Sequence, residues 1–260
     1  MKYDCTKKYD LSDVTFLIPL RIDSIARKNN LDILISLLCR DFIANIIILE
    51  ADIKRLYYYD LNTNNIEYHF IVDTNPIFHR TKYINKLLDL AKTKFVGIWD
   101  TDAIVFPDQI FTSIKILRST QNVMVFPYDG RFYRLDRSLT NLFGELKDFT
   151  LLQNIAGGLP LMFGYHSVGG AFFVKKKIYI EAGGENENFY GWGPEDLERV
   201  KRLEILNFPI HRVHGKMFHL WHPIFSQAAN YKKENEIKKK NIIALIKTCS
   251  CYNNHNNEEK

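Results

Sequence analysis

Short apolar runs that alternate with amphipathic segments constrain the fold of this chain most strongly. Runs of this length are typical of strands buried inside a parallel sheet. A segment between two runs, Arg80 to Lys92, repeats apolar residues at helical spacing. Strand alternating with helix predicts a parallel sheet with right-handed crossovers. The runs are Val14 to Leu20, Ile46 to Leu49, Tyr68 to Val72, Phe95 to Trp99 and Val123 to Phe126.

The length and composition suit one soluble α/β domain with a large core. The chain has 260 residues, of which 46% are hydrophobic and 25% are charged. Its net charge of +5 fits an anionic nucleotide or an anionic membrane surface as a partner. Because no helix-turn-helix or RNA-binding signature is present, nucleic acid is not an expected partner.

Cysteines and apolar stretches bear on location. The four cysteines lie near the two ends and form no paired CxxC units, which favours a reduced, cytoplasmic chain. The first residues, MKYDCTKKYDLSD, lack the apolar region of a signal peptide. No apolar run approaches the roughly 18 to 20 residues that span a bilayer. We therefore expect a cytoplasmic protein.

The run Phe95 to Trp99 leads directly into the triplet Asp100-Thr101-Asp102. At the frayed end of a strand, two such carboxylates can turn toward one cation. Ligands of open α/β sheets bind beyond the carboxyl ends of the strands. The position predicts a metal and diphosphate site, and the alternative interpretation is a solvated turn.

Aromatic residues and acids converge between Ser167 and Glu198. Flat rings beside carboxylates suit a sugar, whose C–H faces stack and whose hydroxyls need strong acceptors. The alternative interpretation is that the acids only cap a helix that begins near Pro194. The stretch contains Gly169-Gly170, the apolar run Ala171 to Val174, Gly183-Gly184, Phe189, Tyr190, Trp192, Glu195 and Asp196.

The segments GGAFFV and AGGENENFYGWGPED resemble the glycine-rich and GWGxED region of β-1,4-galactosyltransferase-type enzymes. More distantly they resemble the polypeptide N-acetylgalactosaminyltransferases. Both are GT-A glycosyltransferases, which use a nucleotide sugar and a divalent metal. The resemblance implies a single Rossmann-like α/β domain, with a mostly parallel sheet flanked by helices, over residues 1–230. We expect residues 13–126 to form the nucleotide-sugar-binding half and residues 127–230 the acceptor and catalytic half.

The resemblance also implies a donor site. Arg80 lies in a stretch similar to the family's F-x-R-x-K-x-x-N, and its fork suits the pyrophosphate. Lys82 in the same stretch is expected on the solvated face. Donor-binding residues implied in this way are Pro19, Leu20, Arg21, Asp23, Arg80, Asp100, Thr101, Gly169 and Gly170.

The metal site is implied by the same resemblance. Asp102 is the expected direct ligand, with Asp100 on the ribose or on a metal-bound water. The family completes the site with a histidine about 25 residues beyond the acidic motif, and His219 follows Glu195 by 24 (219 − 195). His219-x-x-His222 has the spacing of the family's Met-x-x-His pair, so the expected ligand is His219, His222 or both. Oxygen and imidazole ligands suit Mn²⁺, with Mg²⁺ as the alternative.

The implied reaction is transfer of a hexose or N-acetylhexosamine from a UDP-sugar to a carbohydrate hydroxyl. Asp196 is the expected base and Glu195 binds a sugar hydroxyl. Retaining relatives have asparagine where this chain has Asp196, so inversion is expected. The acceptor would contact Tyr190, Trp192 and Tyr128, and the setting would be assembly of a surface polysaccharide or glycolipid.

Two other functions compete with this one. A non-catalytic glycan- or nucleotide-binding module could keep the same fold, but it would not need Asp102, Asp196 and His219 together. A sugar nucleotidyltransferase needs a glycine-rich loop near its N-terminus, and VTFLIPLRIDSIARK contains no glycine.

Two segments have weaker patterns. Tyr128 to His166 breaks the periodicity and is expected to be a long irregular connection, which suggests an acceptor-side lid. Residues 231–260 are expected to form a basic helix over Lys232 to Lys247, followed by a disordered tail. That helix packs on the domain or, alternatively, attaches the protein to the inner face of an anionic membrane with a lipid-linked acceptor.

Overall fold

A seven-stranded sheet forms the centre of the molecule. The computed structural model describes residues 8–58, 65–189, 191, 194–223, 237, 240–245 and 247–248. The strands are β1 (Tyr9–Leu20), β2 (Phe42–Asp52), β3 (Ile66–Val72), β4 (Phe95–Trp99), β5 (Ala103–Val105), β6 (Met124–Phe126), β7 (Phe132–Arg134), β8 (Ala171–Lys175), β9 (Ile210–Arg212) and β10 (Met217–His219). The α-helices are α1 (Ile25–Asp41), α2 (Arg80–Leu90), α3 (Pro107–Ser119), α4 (Arg137–Leu146), α5 (Phe149–Ile155), α6 (Lys176–Glu181) and α7 (Glu195–Ile205), with a 3₁₀ turn at Ala156–Gly158.

The sheet is mostly parallel, as the alternating pattern predicts. Its order is β3-β2-β1-β4-β8-β6-β9. The first four strands in that order are parallel neighbours, and β8 runs antiparallel between β4 and β6. The expected α/β class is confirmed. The alternating pattern did not reveal the antiparallel β8, whose reversed direction brings its first residue beside the last residue of β4.

Aromatic packing fixes the middle of the sheet. All five residues of β4 are buried. Phe16, Trp99 and Phe173 meet with ring centroids 5.4 to 5.6 Å apart. A Cβ on Gly97 would lie 2.6 Å from the ring of Phe173, so only glycine lets this ring close over the strand. The carboxyl end of β4 therefore rests on a rigid base.

A second, three-stranded sheet in the order β5-β10-β7 brings distant parts of the chain to the end of β4. Strand β10 is antiparallel to β5, with His219 opposite Ala103. Beyond this pair, the Leu220 amide donates to the Asp102 carbonyl over 2.8 Å. Because of this register, the histidines near the end of the described core lie beside the triplet that follows β4.

The expectation that Tyr128 to His166 is irregular was wrong. The segment contains β7, α4, α5 and the 3₁₀ turn. Asp136 caps α4 by accepting from the Leu139 amide, and Asp148 caps α5 by accepting from the Thr150 amide. An aspartate just before each helical run was the available signal.

The C-terminal segment is described only at residues 237, 240–245 and 247–248, all of which are helical. The other residues of the expected basic helix and tail, within 231–260, lie outside the described residues. Where the structure describes the chain, no helix is long and apolar enough to cross a membrane.

Candidate active site

Three loops meet at the carboxyl end of β4. They carry or adjoin the triplet Asp100 to Asp102, His219 at the end of β10 with His222 beyond it, and the acids at the start of α7. The glycine pair before β8 lies among them, because Trp99 pairs with Ala171 and the Asp100 amide donates to the Gly170 carbonyl over 2.8 Å. The sheet therefore gathers most of the residues that the sequence singled out.

Asp102, His219 and His222 form a compact cluster. Asp102 is buried, with Oδ1 at 3.6 Å from His219 Nε2 and Oδ2 at 3.3 Å from His222 Nε2. One potential ligand atom from each residue lies within 4.8 Å of the others. These distances are small enough for all three side chains to ligate one ion.

The chemistry of this cluster fits a divalent cation. Burial, together with the neighbouring groups His222, Arg27 and Arg134, lowers the pKa of His219 against the opposing effect of Asp102. The lowered pKa favours the neutral imidazole, the form that binds metals. Nδ1 of His219 is buried and has no hydrogen-bond partner among the described residues. A carboxylate with two imidazoles is a donor set that Mn²⁺ accepts.

Asp100 lies outside this three-residue cluster. Its Oδ1 accepts two hydrogen bonds from Arg80, from Nε at 3.2 Å and Nη2 at 2.6 Å. Burial and the neighbouring charges of Asp102 and Asp196 raise the pKa of Asp100, and Arg80 opposes this shift. The predicted contact of Asp100 with the ribose or a metal-bound water stays a prediction.

Asp196 is held from two sides. Its Oδ1 accepts a 2.7 Å hydrogen bond from Arg199 Nη1, and Arg80 Nη1 lies 4.0 Å from the same atom. A Cβ on Gly169 would collide with Oδ2 of Asp196, so the glycine is what leaves room for that oxygen. The carboxylate therefore has one oxygen bound to Arg199 and the other against Gly169.

Glu195 has different surroundings although it is the next residue. It is 6% exposed, and burial together with the charge of Asp196 raises its pKa to about 7, against the opposing effect of Arg80 and Arg199. A carboxyl group with this pKa exchanges its proton near neutral pH. Such a group can both donate to and accept from a sugar hydroxyl.

A buried ion-pair network supports Asp196, and sequence reasoning missed it. Arg199 is fully buried and pairs with Glu185 through its Nε at 2.9 Å and Nη2 at 2.8 Å. The Tyr179 hydroxyl donates to Glu185 Oε1 over 2.6 Å. The spacing of Arg199 three residues after Asp196 on a helix was the available signal, since such residues are neighbours on one face.

The predicted donor residues near β1 lie where this strand ends. Pro19 and Leu20 are buried, whereas Arg21 donates to the carbonyls of Ala51 at 2.8 Å and Asn75 at 2.7 Å and to Asp73 at 2.5 Å. These bonds tie the ends of β1, β2 and β3 together. Whether Arg21 also contacts a nucleotide stays a prediction.

Asp23 is engaged by an arginine that the sequence did not single out. Asp23 accepts from Arg27 Nε over 2.9 Å, and Arg27 Nη1 lies 3.3 Å from Asp102 Oδ2. The only sequence signal was the spacing of Asp23 and Arg27, four residues apart at a helix start.

The remaining predicted residues are less accessible or not described. Tyr128 is buried and its hydroxyl donates to the Gly169 carbonyl over 2.7 Å, so it holds the glycine pair in place. Oγ1 of Thr101 is buried and, in the described part of the chain, has no hydrogen-bond partner. Tyr190 and Trp192 lie outside the described residues.

A known protein family matches part of the chain. Residues 160–223 match the family described as the N-terminal domain of galactosyltransferase. This match includes the glycine pair, Glu195-Asp196 and both histidines, but not the triplet after β4. A search of curated proteins finds no match.

Solved structures extend the likeness to most of the chain. A mutant of Drosophila β1,4-galactosyltransferase 7, complexed with manganese, UDP-Gal and xylobiose, is 14% identical with a TM-score of 0.51, over 83% of this chain and 77% of that one. Glucosyl-3-phosphoglycerate synthase from Mycobacterium tuberculosis, complexed with Mn²⁺, UDP and glucosyl-3-phosphoglycerate, is 12% identical with a TM-score of 0.52, over 91% and 80%. These proteins are GT-A glycosyltransferases. The chain has the GT-A fold. The expected fold class is thereby confirmed.

Another Drosophila β1,4-galactosyltransferase 7 structure, of the catalytic domain with xylobiose, is 16% identical with a TM-score of 0.47 over 76% of this chain. The chain spans 63% of the length of that structure.

Proposed function

We propose that this GT-A protein is a metal-dependent glycosyltransferase that moves a hexose or N-acetylhexosamine from a UDP-sugar to a carbohydrate hydroxyl. The observation that carries the proposal is the arrangement of two acidic centres around one arginine. Arg80 donates to Asp100, beside the cluster of Asp102 and the histidines, and its Nη1 lies 4.0 Å from Asp196. Asp100, which is next but one in sequence to Asp102 of the cation site, and the candidate base Asp196 thus lie on either side of one guanidinium. This arrangement suits a sugar diphosphate.

The donor side of the site is cationic once a divalent ion is present. Mn²⁺, or Mg²⁺ in its place, held by Asp102, His219 and His222, would offset the charge that develops on the leaving UDP. Nη1 of Arg80 is buried and has no hydrogen-bond partner in the described part of the chain. A guanidinium N–H in this state favours an anionic or hydroxyl-bearing ligand, because an unmade bond is costly in a buried site. The diphosphate fits that requirement.

Asp196 removes the proton from the acceptor hydroxyl. Arg199 holds Oδ1 at 2.7 Å, which leaves Oδ2, the oxygen against Gly169, to accept the proton. Direct attack by the deprotonated hydroxyl inverts the anomeric centre and gives a β-linkage from an α-linked donor. Glu195 binds a donor or acceptor hydroxyl, and Tyr190 and Trp192 contribute to the acceptor side. The predicted acceptor contact of Tyr128 is not part of the proposal, because this side chain is buried and bound to the Gly169 carbonyl.

The acceptor and the setting are further parts of the proposal. The relatives are complexed with xylobiose or glucosyl-3-phosphoglycerate, both small sugar-containing molecules. For this chain we propose a carbohydrate or lipid-linked glycan in surface polysaccharide or glycolipid assembly, at a cytoplasmic location. Residues 13–126 would bind the donor and residues 127–230 the acceptor. Residues 231–260 would contact the inner face of the membrane.

The proposal is tested by UDP release from a panel of UDP-sugars with Mn²⁺, with and without carbohydrate acceptors. We expect release with at least one donor, loss of release with EDTA, and loss in Asp102→Asn. The matched control is Asp89→Asn, which removes an aspartate of α2 outside the site. A protein that releases no UDP from any donor, even as slow hydrolysis, would be a binding module instead. NMR of the anomeric proton of the product tests inversion.

A further inference from the structure

Arg27, in the first turn of α1, places its guanidinium in the candidate metal cluster. Nη1 lies 3.3 Å from Asp102 Oδ2, and Nη2 lies 3.4 Å from His222 Nδ1. Oδ2 of Asp102 is also the oxygen nearest to Nε2 of His222. The guanidinium therefore already neutralises the carboxylate that a divalent cation would use.

This placement is built into the fold. Arg27 has a side chain that is 22% exposed, and its backbone amide donates to the cap residue Ser24. One turn further along α1, buried Asn30 donates to the Trp221 carbonyl over 3.1 Å, next to His222. That bond holds the helix and the histidine segment in register. The contact is thus unlike that of a surface arginine reaching a nearby acid.

The outer side of the guanidinium is bound by a partly exposed acid. Asp23, in the loop between β1 and α1, accepts from Nε at 2.9 Å and from Nη2 at 3.3 Å, and its side chain is 42% exposed. The guanidinium of an arginine keeps its charge in proteins. A divalent cation bound at Asp102 would therefore be repelled by this fixed positive charge, unless an anion binds to both cations. A diphosphate supplies that anion, and an arginine fork matches its oxygens.

We infer that Arg27 is the built-in counter-cation of Asp102 in the metal-free protein and that it turns onto the donor diphosphate when the divalent ion binds. The inference rests on the proposed function and adds a residue to the donor site. Metal binding and nucleotide binding then depend on each other. Arg27 repels an ion that binds without the nucleotide, and it stabilises an ion that binds together with the nucleotide. By linkage, UDP must raise Mn²⁺ affinity by the same factor as Mn²⁺ raises UDP affinity.

The test is Mn²⁺ binding measured by the EPR signal of the free ion, with and without UDP. We expect Arg27→Gln to bind Mn²⁺ on the order of tenfold more tightly than wild type without UDP, because the competing charge is gone. In the same variant, the factor by which UDP raises Mn²⁺ affinity falls by about as much. Arg27→Lys keeps the charge without the fork, so we expect its Mn²⁺ affinity without UDP to stay close to that of wild type.

The matched control is Arg134→Gln. Arg134 is exposed on β7 and acts on His219 through its charge. Its change to glutamine removes one positive charge, as Arg27→Gln does. An equal gain in Mn²⁺ affinity in both glutamine variants would show only general electrostatics and would overturn the inference. Unchanged or weaker Mn²⁺ binding by folded Arg27→Gln would overturn it as well. Failure of wild type to bind Mn²⁺ even with UDP would instead remove the proposed function and this inference with it.

Discussion

Glu195 and Asp196 are adjacent in sequence but differ in their surroundings. Glu195 is 6% exposed and has a pKa raised to about 7 by burial, whereas the Asp196 side chain is 28% exposed and bound to Arg199. When the environments of two neighbouring acids differ, the two acids commonly have different roles in catalysis. The more accessible Asp196, with one oxygen free of Arg199, is the better candidate to meet an acceptor hydroxyl.

Changing Asp196 to asparagine should remove the base and keep the shape. We expect kcat to fall by about 10² to 10⁴, the usual contribution of a positioned base, with UDP-sugar binding largely retained. Steady-state kinetics with the acceptor and calorimetric donor binding measure the two effects. Glu195→Gln is the companion variant, and wild-type turnover in Asp196→Asn would refute the assignment.

Glu195 should make the stability of the protein depend on pH. Its pKa is about 7 in the folded protein and near 4.5 as a free side chain, so the folded state binds the extra proton between these values. Its stabilising contribution to the free energy of unfolding is therefore complete below about pH 4.5. This contribution is lost as the pH rises to about 7, at up to about 1.4 kcal/mol per pH unit. We expect Glu195→Gln to be more stable than wild type at pH 8, with the difference shrinking toward pH 5. Urea unfolding across this pH range measures the difference in the free energy of unfolding between the two proteins. A difference that does not change with pH would contradict the prediction.

Gly169 should be needed for activity more than for folding. A Cβ at this position would collide with Oδ2 of Asp196, while Oδ1 is held by Arg199. We expect Gly169→Ala to lower kcat by about 10²-fold, the effect of displacing a reacting group by roughly 1 Å. The matched control is Gly157→Ala, where no atom lies within 4 Å of the added Cβ. Equal kcat in the two variants would show that the carboxylate tolerates displacement.

Among the elements, helix α7 is unusual because charged side chains form its buried face. Arg202 pairs with Glu198 at 3.0 Å and also donates to the carbonyls of Ala182 and Gly184. Arg199 binds the next residue of the same loop, Glu185. In contrast, Leu197 is 56% exposed. Ion pairs and hydrogen bonds therefore hold the helix against residues 182–185, and they fix its rotation and with it the direction of Asp196.

The pair of Arg199 and Glu185 should contribute separately to stability and to catalysis. Arg199→Met leaves the charge of buried Glu185 without its ion-pair partner and, among the described residues, with only the hydrogen bond from Tyr179 on its carboxylate, and we expect a loss of about 3 to 5 kcal/mol in the free energy of unfolding. Arg199→Met with Glu185→Leu removes both charges, so most of that stability should return. The double variant should still have a low kcat with little change in donor KM, because Asp196 has lost the group that holds Oδ1.

Urea unfolding and steady-state kinetics on both variants separate these effects. Recovery of kcat together with stability in the double variant would show that Arg199 has only a structural role. Tyr179→Phe, which removes one hydrogen bond to Glu185 and keeps both charges, is the milder companion.

For the whole molecule, the site depends on two sheets that meet at the end of β4. The parallel half provides the end of β1 and the triplet, and the small sheet brings His219 opposite Ala103. Antiparallel β8 adds the glycine pair from the other side. A ligand that spans these parts should therefore stabilise the entire fold.

Thermal unfolding with UDP and Mn²⁺ measures this coupling. Binding at 100 times Kd stabilises the folded state by about 2.7 kcal/mol, and we expect a matching rise in Tm with UDP and Mn²⁺ together. The rise should disappear with EDTA and in Asp102→Asn. A screen of UDP-sugars in the same assay identifies the donor, and an equal rise in Asp102→Asn would place the metal elsewhere.

The sequence alone was sufficient for the class of fold, and it singled out most of the residues that lie together at the candidate site. Buried parallel strands have local signatures, because each must be short and apolar, and the five residues of β4 were predicted with their observed bounds. The acids at Asp102 and Asp196 were found because motifs are contiguous in sequence. The direction of β8 and the helices between Tyr128 and His166 were missed, since strand pairing is non-local and the caps are weak signals.

What the sequence by itself determined, then, was an α/β sheet with acids at the end of its fourth strand and a histidine pair far along the chain. Only the tertiary structure decided which groups touch: Arg27 with Asp102, and Glu185 with Arg199 and through it Asp196. Residue types and spacing specify local conformation, whereas contacts between charged groups depend on where distant elements pack. The partners of the two central carboxylates were therefore set by the packing of α1 and α7 and not by any motif.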